Sequence, residues 1–166
     1  MDLLTFLILA HTIATVLGVG GATLIEVLLI RALKDGQMDP SEGNLMKGIY
    51  SVVRIGFVLA LVTGVSFLVL YKLNGQTGQL WSAVLWAKMT VVSLIGLNAL
   101  LLQAHAIPLK IGSGISFVSW YAALFLGVFL RNLNADYIVI MFFYVLAVII
   151  GIVVLDYIRR LSGVKI

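Results

Sequence analysis

Polar residues interrupt this chain at only four places. Between them run five apolar stretches, roughly 3–33, 41–72, 79–106, 113–131 and 135–158. Each is close to or beyond the ~20 residues that cross a hydrocarbon core of ~30 Å. The pattern predicts an all-α integral membrane bundle of about five transmembrane helices, in a single domain covering 1–166. The breaks carry turn residues: Lys34-Asp35-Gly36, then Asn74-Gly75 with Gly78, then Pro108 with Gly112, then Asn132-Leu133-Asn134 with Asp136 after it. The second helix has a specific start signal in Asp39-Pro40-Ser41-Glu42. Asp39 is an N-cap type, Pro40 takes the first helical position and Glu42 stands three residues after the cap. Its apolar run opens only near Leu45, so the first and second helices are expected to project beyond the bilayer as a short hairpin. The first run starts Met1-Asp2-Leu3 without a basic segment and outlasts the apolar part of a signal peptide. It is expected to stay as a span.

Small residues recur at helical spacing. Ala14, Gly18 and Ala22 step by four on the first helix, and Gly56, Ala60 and Gly64 do so on the second. Gly112 and Ser116, then Ser119, Ala123 and Gly127, mark the fourth, and Ala147 and Gly151 the fifth. Such rows let helix backbones approach closely in lipid.

Composition sharpens this picture. The 166 residues are 62% hydrophobic and 11% charged, where a soluble domain carries about 25% charge. Too little polar surface is left for a soluble module. Cysteine is absent, which excludes disulfides, iron–sulfur clusters and thiolate metal sites. The net charge of +4 forms no patch for nucleic acid, because the basic residues lie at helix ends. With five spans, Arg31, Lys34, Lys47, Lys110, Arg159, Arg160 and Lys165 fall on one side, and only Lys72 and Arg131 on the other. The positive-inside rule then predicts an inner-membrane protein with its N-terminus outside and its C-terminus in the cytoplasm. The expected partners are the lipid bilayer and either a second copy or a larger membrane complex.

Ionisable groups within spans are expensive in lipid and mark candidate sites. His11, Glu26, Arg54 and Lys88 qualify, with Asn98 and Thr15 as further buried polar groups. Depth relates them. At about 1.5 Å per residue, His11 and Lys88 both lie ~12–14 Å from the outer end, while Glu26 and Arg54 share a layer nearer the other face. Glu26 and Arg54 are therefore expected to form a buried ion pair, with a gate or proton-relay role as the alternative. Lys88 either snorkels to the headgroups or meets an anion. On the first helix, His11, Thr15, Gly18, Ala22 and Glu26 fall within roughly an 80° sector, a stripe that must face protein or a cavity. The two histidines are some ~25 Å apart along the normal, so they cannot both ligate one haem. Any haem iron is held by His11 alone or with a second, non-histidine ligand; His105 is expected to be an interfacial helix-end residue.

The first three spans resemble the HemJ-type protoporphyrinogen IX oxidases and CopD-like membrane domains. The shared features are His11 followed by Gly18-Val19-Gly20-Gly21, the pair Thr63-Gly64, and Leu85-Trp86-Ala87-Lys88-Met89. The likeness covers roughly residues 8–105. It implies a haem-binding role for His11 and an activity-related role for Lys88. The HemJ-type pattern has Trp four residues before the Lys, where this chain has Val84. A closer likeness, to short prokaryotic membrane proteins of no assigned function, runs through Gly20-Gly21-Ala22-Thr23 and Leu33-Lys34-Asp35-Gly36. Three functions stay open. One is a haem b or porphyrin protein, with His11 an axial ligand and Lys88 a propionate or second-ligand contact. The others are a small transporter or channel with a polar path along the first helix, and a structural subunit of a membrane complex.

Overall fold

The computed structural model describes residues 2–32, 39–129 and 135–161. The expected turns at Lys34-Asp35-Gly36 and Asn132-Leu133-Asn134, with Leu33, Arg131 and Lys165, lie outside the described residues. Among those described are six helices and no strand: α1 Leu3–Ala32, α2 Pro40–Leu73, α3 Thr77–Leu80, α4 Ala83–Gln103, α5 Leu109–Val128 and α6 Tyr137–Leu161. All but the one-turn α3 are long and apolar enough to cross a membrane. The protein is a multi-span helical membrane protein by length and hydropathy.

Local chemistry sets the helix ends. The Thr5 N–H donates to Asp2 Oδ1 at 2.9 Å, capping α1 and holding the Asp2 carboxyl below its ordinary range. At α2 the Asp39 N–H donates to Glu42 Oε2 at 3.1 Å, with Pro40 at the first helical position. α2 ends in a Schellman motif. Gly75 (φ 70°) takes the left-handed position, and the Gln76 N–H reaches Tyr71 O at 2.9 Å.

The third and fourth spans differ from the sequence expectation. The third span does not run from 79 to 106. It starts at Ala83, because Ser82 caps it and accepts from the Leu85 N–H at 3.2 Å. It stops at Gln103 in a second Schellman motif, with the Ala106 N–H on Leu101 O at 2.9 Å. Here His105 takes the left-handed position, φ 53°. The fourth span starts at Leu109, with Pro108 as its extended cap, rather than at 113. Gly112 is no breaker. It sits in the first turn of α5, where a Cβ would collide with Leu102 of α4.

Helix α5 is the hub, packed against α1, α4 and α6. The core gathers Val84, Ala87, Val91 and Ile95 of α4 with Trp120, Ala123 and Leu126 of α5, joined by Ala22, Ile140 and Tyr144. Several of the small residues mark crossings. A Cβ on Gly56 of α2 would lie 3.0 Å from Ala14 O and 3.1 Å from Gly18 N, so α1 and α2 nearly touch backbone to backbone. A Cβ on Gly151 of α6 would collide with Val118 of α5. Ser119 of α5 donates to Ile115 O at 2.6 Å, so it accepts from the Tyr144 hydroxyl of α6 at 2.8 Å. α2 lies along α1 and leaves a long seam against α4, in which two cavities open.

Candidate functional site

The first cavity, of about 360 Å³, is walled by α1, α2, α4 and α5 near the start of α1. His11, Thr15 and Lys88 line it among mostly apolar neighbours, and the lining holds no acidic residue. Helix register puts His11 there. Lys88 comes from the facing side, one residue after the fully buried Ala87 that fixes how α4 is turned.

A short hydrogen-bond chain fixes the imidazole. Thr63 is 3% exposed. Its single hydroxyl proton goes back to Leu59 O at 2.7 Å, as β-hydroxyl residues in apolar helices commonly do. The oxygen can then only accept from His11 Nδ1, 2.7 Å away. Nε2 is turned to the other side, where Lys88 Nζ stands 3.5 Å away. Phe67 sets the ring edge-on, with centroids 5.6 Å apart. Thr15 turns its hydroxyl onto His11 O at 2.9 Å. Gly127 leaves room for Lys88, since a Cβ there would lie 3.0 Å from Nζ, while a Cβ on Gly64 would only touch the His11 ring at 4.0 Å. The seam residues Thr63 and Gly64 belong to the resemblance motif. Gly127 and Phe67 carried no signal beyond helical spacing.

The polar stripe of α1 does not continue as a path. A Cβ on Gly18 would collide with the Trp120 ring of α5, and Ala22 is core. A neighbouring helix therefore fills the middle of the stripe, and the cavity ends at Trp120. The ring presents Cε3, Cζ3 and Cη2 to Gly18, so its pyrrole edge faces away from α1. Nε1 is buried there without a hydrogen-bond partner.

Glu26 does not pair with Arg54. Its Oε2 accepts from Arg159 Nη2 of α6 at 2.6 Å, with both side chains 3% exposed. Arg159 Nη1 also donates to Lys110 O at 3.0 Å, and Nη2 to Ser113 Oγ at 3.2 Å, which locks α1, α5 and α6 together. The reason is register and azimuth together: Gly56 packs level with Ala14 to Gly18, so Arg54 stands roughly 12 Å along α1 from Glu26. Gly56 faces α1, and Arg54 stands two residues earlier, about 200° round the helix. It points away from Glu26 and into the second cavity. Asn98 is 5% exposed and donates to Gly112 O at 2.8 Å, tying α4 to the start of α5. His105 lies at the far end of α4, away from His11. Among the described residues, no group of three or more His, Cys, Asp or Glu could hold a metal ion. No protein-family model, curated protein or solved structure matches this chain.

Proposed function

We propose that this chain is a multi-pass protein of the inner cell membrane, with α1 starting outside and α6 ending in the cytoplasm, and that it binds b-type haem or the parent porphyrin beside His11 and Lys88. The orientation rests on charge. Arg31, Lys47, Lys110, Arg159 and Arg160 stand at one end of the bundle, and Lys72 at the other.

The observation that carries the binding reading is that Thr63 engages one nitrogen of His11 while the other is turned to the cavity. A metal-ligating imidazole needs one nitrogen held by an outer partner and the other presented as a lone pair. Thr63 holds Nδ1, and Nε2 faces the cavity side where Lys88 approaches. The remaining residues fit such a group. The walls are apolar and aromatic, as buried ring systems require. Lys88 is a cation within a span that has no acidic neighbour in the cavity, so a propionate would supply the missing counter-charge. When bound, haem would supply one-electron chemistry tuned by its axial ligand. The chain itself does three things at this site. Thr63 and Phe67 orient the imidazole, Trp120 closes the inner end, and the surrounding apolar side chains exclude water.

The test is the visible spectrum of the protein purified from cells supplied with haem. The reading expects a Soret band that His11→Ala abolishes and His105→Ala leaves intact. Lys88→Ala should weaken or shift it. A colourless wild type, or a band that survives His11→Ala, overturns the reading.

A further inference from the structure

The second cavity lies in the same seam at the opposite end and has different chemistry. It measures about 710 Å³ and opens between α2 and α4. Lys47 and Arg54 line it, with His105, Tyr50 and Ser51 beside them and no acidic residue. The acids of that end are engaged elsewhere or stand outside the cavity. Glu26 is bound to Arg159, Asp156 to Arg160 at 2.8 Å, and Glu42 to the Asp39 N–H. No hydrogen bond or ion pair among the described residues engages the Arg54 guanidinium.

Level decides what this cavity can hold. Phe57 of α2 lies against Gly96 of α4, where a Cβ would meet its ring at 2.9 Å. The two helices run antiparallel, so Arg54 stands opposite Ala99, Tyr50 opposite Gln103 and Lys47 beside the turn after α4. Arg54 is then ~6 Å inside the end of α4 and Lys47 ~5 Å beyond it. With the end of α4 taken as the membrane surface, the two cations bracket the level where hydrocarbon gives way to headgroups. Below them the walls are mostly apolar, with Val58 and Ile95 beside Phe57 and Trp120, and Asn98 and Ser116 as the polar members. An occupant must therefore be anionic at the top and apolar beneath, and must enter sideways from the bilayer.

We infer that the cleft between α2 and α4 is a binding site for an anionic phospholipid, its phosphate between Arg54 and Lys47 and an acyl chain along the apolar wall towards Phe57. Basic pockets between transmembrane helices take such headgroups. The lipid supplies the counter-charge that the protein withholds from Arg54, and it fills a seam where α2 and α4 pack only through a few side chains. The site is separate from the His11 cavity and does not depend on what binds there.

The experiment is native mass spectrometry of the detergent-purified full chain, titrated with phosphatidylglycerol or phosphatidylcholine of identical acyl chains. Phosphatidylglycerol adducts are expected to exceed phosphatidylcholine adducts. Arg54→Gln and Lys47→Gln should each reduce them about five-fold, while Arg54→Lys retains most of the binding. Lys72→Gln, at the other end, should leave them unchanged. Equal adducts with the two lipids, or phosphatidylglycerol adducts undiminished in the Arg54→Gln/Lys47→Gln double variant, overturn the inference.

Discussion

Replacing Arg159 by Met should be among the most damaging single changes in this protein, although the residue lies two positions from the end of α6. The magnitude follows from its partners. Arg159 and Glu26 are both nearly sealed from solvent, at 3% side-chain exposure. Glu26 Oε1 already lacks a partner, so losing the guanidinium strips the carboxylate of its one ionic contact. Breaking a buried pair by removing one member costs about 3–5 kcal/mol. Glu26→Gln should fall at the lower end of that range, since Arg159 keeps Lys110 O and Ser113 Oγ. Arg159→Met should fall at the upper end. In the double variant neither charge is left alone, so the losses should fail to add by about 2 kcal/mol or more. Arg54→Gln is the contrast. That side chain is exposed and makes no ion pair among the described residues, so in lipid-free micelles the change should stay within about 0.5 kcal/mol. Equilibrium unfolding in mixed micelles, followed by circular dichroism, measures all four. Additive losses for Glu26 and Arg159, or a larger loss for Arg54→Gln than for Arg159→Met, would refute the reasoning.

Three other outcomes follow from single positions. Gly18→Ala forces a methyl into the Trp120 ring, and should cost about 1–3 kcal/mol with a change in tryptophan emission; a neutral result would mean that α1 and α5 do not meet there. His105→Gly removes a side chain from a left-handed position and should raise stability by about 1 kcal/mol, whereas His105→Val should lower it in the same unfolding assay. Reporter fusions after residues 76, 106 and 161 should read outside, inside and inside; the reverse pattern would invert the proposed orientation.

The hydropathy pattern carried the spans because lipid demands long uninterrupted apolar runs, and the Asp39 to Glu42 signal carried the start of α2 because capping is local. Both are properties of neighbours in sequence. Depth along the normal was legible for one pair: residue counts put His11 and Lys88 in one layer, and Nε2 and Nζ stand 3.5 Å apart. The register and azimuth of α2 against α1 were not. Arg54 was expected level with Glu26, yet Gly56 packs between Ala14 and Gly18, which sets Arg54 roughly 12 Å along α1 from Glu26 and turns it away. Arg159 reads in sequence as a charge near a helix end that sets topology, and only the docking of α6 on α5 carries it to Glu26. The helix ends at 103 and 109 were missed for a related reason. Gly112 serves a close approach between α4 and α5, and a glycine kept for packing is spelled the same way as one that breaks a helix.

Trp120 explains why one seam holds two cavities of different lining. It rises from the hub helix between α2 and α4 and borders both cavities. The Phe57 ring meets it edge-on at 6.5 Å, and together they divide the seam near its middle. On the α1 N-terminal side of this divider, Lys88 Nζ stands 3.5 Å from the His11 imidazole within a mostly apolar lining. On the other side Lys47 and Arg54 line the wider cavity. A smaller residue at 120 would relieve the crowding at Gly18 but would also remove the wall between the cavities. Close packing of α1 on α5 and separation of the two cavities therefore depend on the same indole.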